Sequence, residues 1–219
     1  MTTPLQTDIL TGLTALVLIM TFIMVSHKSL TPTIRTYAYQ SILLSILAFL
    51  VGLFTGEHQI WIIAVVTLVL KGFAIPKLLN YIIDRLKIRR ERESPLGIPT
   101  SLLACGLLVL LAYAATSRLP QAETSLGRAS LGVSLSVVLI GVFIMATRRK
   151  AVTQTIGLLV MENGMFLAAL SLTYGMPLIV ELGVAFDVLV AAIVLGILLF
   201  NINQTFDTID TRQMERLAE

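Results

Sequence analysis

Seven stretches of this sequence run nearly free of charge for about 20 residues each, the length a helix needs to cross a bilayer. No other feature limits the fold so tightly. Inside hydrocarbon every backbone N–H and C=O must be satisfied within the protein, and a helix does this by itself. The runs fall at 8–26, 32–54, 60–84, 97–116, 129–147, 151–173 and 177–202. The expected fold class is all-α, a polytopic membrane protein of about seven transmembrane helices. Of 219 residues, 56% are hydrophobic and only 13% charged, which leaves no polar stretch able to form a soluble catalytic domain. The opening MTTPLQTDIL lacks a basic flank and its apolar run continues into a full span, so no removable signal peptide is expected. The single cysteine, Cys105, excludes an internal disulfide or a multi-cysteine metal site, and reads as a small buried apolar residue.

The loops are sorted by charge. One side carries Lys28, Arg35, Arg85, Lys87, Arg89, Arg90, Arg92, Arg148, Arg149, Lys150, Arg212 and Arg216; the other carries only Arg118 and Arg128. Basic loops stay in the cytoplasm, so the N-terminus is expected outside and the C-terminus inside a bacterial or archaeal cytoplasmic membrane. The segment IIDRLKIRRERESPLGIP is the main cytoplasmic connection. It reads either as a topology signal or as a surface for anionic lipid or a peripheral protein. The net charge of +3 carries no argument for nucleic acid, because the basic residues follow membrane side.

The two halves echo each other at an offset of 122 residues. HKSLTPTIRTYAYQS aligns with RKAVTQTIGLLVMEN, matching Lys28 with Lys150, Thr31 with Thr153, Thr33 with Thr155, Ile34 with Ile156, and Gln40 with Glu162. Both copies start outside, so the repeat is parallel, an arrangement known in transport proteins. The expected organisation is a three-helix repeat with its basic loop over 1–95, a connector helix in 96–127, a second three-helix repeat over 128–202, and a cytoplasmic tail over 203–219.

Charges interrupt the apolar runs at few places. Glu162 lies 12 residues past Lys150, so roughly 18 Å along a helix. Asp187 is ten residues into the last span and Lys71 eleven into the third, at similar depth. A charge at membrane depth is costly unless it meets a partner, a wet cavity or a proton, and such groups mark ion and proton paths. We therefore place Glu162, Asp187 and Lys71 in a relay layer. Glu181, nearer the outer end of span 7, and Lys77, nearer the cytoplasm, are weaker members; Lys77 also reads as a snorkelling side chain. Gln40, Asn163 and Pro76 support the layer. Asn163 and the following Gly164 favour close helix contact and a polar lining, and Pro76 removes an N–H and frees the carbonyl of Gly72 four residues back. A bland reading remains open for each: a carboxyl that only ties helices together, an ion pair between Asp187 and Lys71, a proline kink. No catalytic residue, cofactor site or metal site is expected. The sequence has no phosphate-binding glycine loop and no metal-spaced His/Cys set, and His27 and His58 are both in loops.

VMENGMFLAAL followed by VELGVAFDVLVAAIVLGIL, with VSHKSLTPTIRTYAYQSILL and TLVLKGFAIPKLLNYI in the first half, resembles hydrogenase-4 component E over nearly the whole chain. Spans 5–7 also resemble the K-type subunit of respiratory complex I and, more distantly, the C subunit of Mrp-type antiporters. The resemblance implies a non-catalytic subunit of a membrane-bound, complex-I-like assembly such as a group 4 [NiFe] hydrogenase or formate hydrogenlyase. Antiporter-like membrane subunits would be its partners, membrane lipids its surroundings, and the metal centres would lie in other chains. It also implies that Glu162 and Asp187 occupy positions of the relatives' membrane proton axis, with Asp standing where the relatives have an acid in the third helix. The alternatives are a structural or assembly subunit without ion transfer, and a stand-alone secondary transporter, for which the spans offer few polar side chains. Proton and sodium coupling are both compatible with these residues.

Overall fold

The computed structural model describes residues 4–56, 58–86, 97–117, 127–148 and 150–172. These residues are almost entirely helical, with no β-sheet. In chain order the helices are α1 (Pro4–Ser26), α2 (Leu30–Thr55), α3 (His58–Thr67), a π-helical turn (Leu68–Ala74), α4 (Ile75–Leu86), α5 (Ile98–Thr116), α6 (Gly127–Thr147) and α7 (Ala151–Leu172). Because α3, the π turn and α4 follow one another directly, they form one rod, and the described residues contain six helices long and apolar enough to cross a membrane. These six coincide with the first six apolar runs. The seventh run, 177–202, lies outside the described residues together with Asp187, Glu181, the tail and most of the basic loop.

The helix boundaries have local causes. Gly56 ends α2 in the left-handed region (φ 75°), and its N–H returns to the carbonyl of Gly52. Gly97 precedes α5, with Pro99 in its first turn, where a missing N–H costs nothing. Hydroxyls inside the spans bond their own helix: Thr21 to Val17 O (2.9 Å), Ser136 to Gly132 O (2.6 Å) and Ser171 to Leu167 O (2.8 Å). Such back-bonding satisfies a hydroxyl in hydrocarbon without a second helix.

The helix α2 sits at the centre, packing on α1, α3, the π turn, α4 and α7. Its buried stripe includes Ile34, Tyr37, Gln40, Ser41, Leu44, Ser45, Ala48 and Val51. Ser45 Oγ reaches across to Ala64 O (2.6 Å), fixing α2 against α3. Among the described residues, the closest approach of two helix backbones is between α6 and α7. A Cβ added at Gly141 would stand 2.5 Å from Met161 N, one at Gly164 2.7 Å from Val138 N, and one at Gly157 2.9 Å from Met145 N. Gly141 on α6, and Gly157 and Gly164 on α7, thus let the two backbones touch, the usual way membrane helices gain contact without a hydrophobic driving force. In contrast, α5 turns Leu103, Leu107, Leu110 and Leu111 outward, all more than half exposed.

At the cytoplasmic end proposed above, Arg148 Nη2 donates to Val25 O (3.1 Å), so the end of α6 caps the last turn of α1. His27 Nε2 pairs with Thr36 Oγ1 (3.1 Å), holding the short turn between α1 and α2.

Candidate functional site

Two charges placed 91 positions apart in the sequence meet inside the bundle. Lys71 Nζ lies 2.6 Å from Glu162 Oε1, and the two side chains are only 3% and 4% exposed. On α7, Phe166 stands one turn beyond Glu162 and so shares its face. The Lys71 ammonium is 5.8 Å from the Phe166 ring centre, within reach of a cation–π contact. A buried ion pair gains little net stability over an apolar replacement, but removing one partner costs about 3–5 kcal/mol because the other is left charged in a low dielectric.

Lys71 reaches α7 from an unusual backbone. Residues 68–74 form a π-helical turn, and the Ile75 N–H bonds the carbonyl of Leu70, five residues back. The sequence reading assumed an α-helical register, in which Pro76 frees the carbonyl of Gly72. In the five-residue spacing observed, the position opposite Pro76 is Lys71 itself. Proline has no N–H to continue the ladder, and the widened turn ends at Ala74, two residues before it. π turns of this kind are frequent at functional sites. Gly72 keeps the wide turn close to α2: a Cβ there would meet the Ile42 side chain at 3.3 Å.

Beside the pair runs a belt of neutral polar groups. Asn163 Nδ2 donates to Gln40 Oε1 (3.2 Å) and lies 3.3 Å from Ser41 Oγ. Gln40 Nε2 donates to Thr21 Oγ1 (2.8 Å) and approaches Val17 O at 3.5 Å. Thr21, Gln40, Ser41 and Asn163 are all fully buried. The belt links α1, α2 and α7, and the ion pair extends it to the π turn. Interhelical hydrogen bonds of this sort contribute only about 0.6 kcal/mol each on average in membrane proteins, too little to explain by stability alone why one layer gathers so many polar groups.

Of the residues expected from sequence, the structure brings Glu162, Lys71, Gln40 and Asn163 into one layer, with Pro76 bordering the π turn. Lys77 is exposed on α4, away from the pair. Lys71 pairs with Glu162; Asp187 and Glu181, and with them the expected pair of Asp187 with Lys71, lie outside the described residues. Sequence reading missed Thr21, Ser41 and Phe166. Thr21 and Ser41 carried a signal, as polar residues within apolar runs, whereas nothing marked Phe166 among the other aromatic residues. Among the described residues no group of His, Cys, Asp and Glu could hold a metal ion.

Hydrogenase-4 component E of Escherichia coli K12 is 30% identical over 212 residues, covering 95% of this chain and 97% of the relative. The chain belongs to the hydrogenase-4 component E family. The component E of Shigella flexneri matches to the same extent. The uncharacterized protein Rv0085 of Mycobacterium tuberculosis is 31% identical over 198 residues, 90% of each chain. No protein-family model matches the chain, and no solved structure does. Component E relatives therefore span almost the same length as this chain.

Proposed function

We propose that this chain is a non-catalytic membrane subunit of a hydrogenase complex of the complex-I-like, energy-converting type, and that Glu162 and Lys71 carry ions across its middle. Kinship with hydrogenase-4 component E supports the complex; the 2.6 Å contact between two buried, oppositely charged side chains supports the relay. Both groups exchange protons by nature, and each is the group to which the other can pass one. Asp187 and Glu181 continue the relay in the last span, Lys77 lies toward its cytoplasmic mouth, and antiporter-like subunits receive the path at the edge of this chain. Spans 1–3 and 5–7 act as two copies of one unit, of which only the second carries the acid. The N-terminus faces outside and the C-terminus the cytoplasm.

The reading is tested by Glu162→Gln in the assembled complex, with electron transfer and ion movement measured together in sealed membrane vesicles. We expect assembly and electron transfer to persist while ions moved per electron fall at least tenfold. Undiminished pumping by an intact complex would leave Glu162 a purely structural role. A subunit that only organises its neighbours is the second reading, favoured by the same ion pair taken as a tie between α7 and the π turn.

A further inference from the structure

We propose that Gln40 and Asn163 form a proton-insulating wall along one flank of the relay, so that Glu162 exchanges protons toward Lys71 and not toward α1. This inference rests on the reading of Glu162 and Lys71 as ion carriers.

The hydrogen bonds of the belt run in one direction. Asn163 donates to Gln40 Oε1, and Gln40 donates to the Thr21 hydroxyl. Thr21 in turn donates to Val17 O of its own helix at 2.9 Å. The chain starts at the residue next to Glu162 and ends on a backbone carbonyl. A proton wire needs stations that accept a proton on one side and release one on the other. Carboxyls, amines, imidazoles, hydroxyls and water do this. A carboxamide has a fixed acceptor and fixed donors and does not titrate. Here two carboxamides stand in series, and the hydroxyl beyond them has its hydrogen committed to a carbonyl. Ser41 is a side chain that could relay, but the group it faces across the interface is again the Asn163 amide, at 3.3 Å. Thr21, Gln40, Ser41 and Asn163 are 0% exposed, so packed side chains, not bulk water, surround the wall.

The wall also explains the asymmetry of the repeat. Gln40 stands at the position that matches Glu162 at the 122-residue offset. An amide there keeps the size and hydrogen bonding of the acid while removing the proton. Glutamate at this position would place a titratable group between Asn163 and Thr21 and leave the Asn163 amide as the one carboxamide separating it from Glu162.

The test uses the whole complex in sealed vesicles, recording ions moved per electron and passive proton leak. In the double variant Gln40→Glu/Asn163→Asp, which puts a titratable group at both amide positions, we expect leak to rise and ions per electron to fall at least twofold, with electron transfer retained. Adding Glu162→Gln to that variant should abolish the extra leak, because the new groups have no relay to draw from. Gln40→Glu alone, with the Asn163 amide still in series, should leak less than the double variant. An assembled double variant that stays tight would overturn the wall, and so would a Gln40→Glu variant that leaks as much as the double. If the double variant does not assemble, the single variants decide: a graded rise in leak in Gln40→Glu and Asn163→Asp supports the wall, and two tight single variants overturn it. Failure of the underlying relay reads differently: Glu162→Gln by itself would then pump normally, whereas a failed wall leaves Glu162→Gln inactive.

Discussion

Lys71 distinguishes a proton carrier from a fixed counter-charge. Arginine keeps the charge but does not release its proton in proteins, whereas lysine can when desolvated. Lys71→Arg should therefore impair ion translocation in vesicles almost as much as Lys71→Ala, with assembly checked in both. Full activity of the arginine variant beside a dead alanine variant would make Lys71 an electrostatic partner only. The ion pair makes a second, opposite prediction about stability. Lys71→Met or Glu162→Gln alone should destabilise by up to about 3–5 kcal/mol, the cost of stranding a buried charge, while the double variant Lys71→Met/Glu162→Gln recovers most of it. Thermal unfolding in detergent measures this cycle; equal losses in single and double variants would argue against direct coupling. Both residues were legible in the sequence because a charge within an apolar run has few explanations. Their pairing was not, since nothing in a linear sequence says which of several buried charges at one depth face each other.

Glycine spacing decides packing at the scale of elements. Gly157→Leu would drive a side chain into the α6 backbone, where a Cβ alone already comes within 2.9 Å of Met145 N and 3.0 Å of Gly141 O. We expect a loss of at least about 1–3 kcal/mol, the usual cost of overpacking, and a fall in folded protein recovered from membranes. Gly106 on α5, whose Cβ would meet nothing within 4 Å, should accept alanine without effect. Six of the spans were readable from hydropathy to within a few residues, because crossing a bilayer fixes length and composition together. The π turn was not. Its residues LVLKGFA are as apolar as an ordinary helical stretch, and neither Gly72 nor Pro76 by itself marks a widened register in a sequence. Glycine at 141, 157 and 164 was visible in the sequence, but the direct backbone contact it permits appears only once α6 and α7 are paired.

For the whole molecule, the distribution of basic loop residues sets the orientation to test. Reporter fusions after residues 90 and 215 should both read cytoplasmic. A periplasmic signal from either would remove the seven-span arrangement. The proposed repeat gives a second check. Thr33 and Thr155, Ile34 and Ile156, and Gln40 and Glu162 are buried in both copies, and Ser41 meets Asn163, its own counterpart at the same offset. Thr31 and Thr153 differ, the first exposed and the second buried. Most of these paired positions are buried, and α2 and α7 meet where Asn163 faces Ser41. The 122-residue offset did not say that α2 and α7 would meet, because similarity between two segments does not specify how they join.

The distance in sequence between Lys71 and Glu162 has a consequence for biogenesis. The ribosome adds about 5–20 residues per second, so the lysine leaves the tunnel on the order of ten seconds before its acid does. Throughout that interval the first three spans hold an ammonium and the Gln40 amide without the helix that later neutralises one and hydrogen-bonds the other. A newly made N-terminal half is therefore a poor lipid-facing substrate. It has to be retained at the insertion machinery or shielded by a chaperone until α7 arrives. Truncated chains ending near residue 95 should be sought there first, and they are expected to be short-lived wherever they escape.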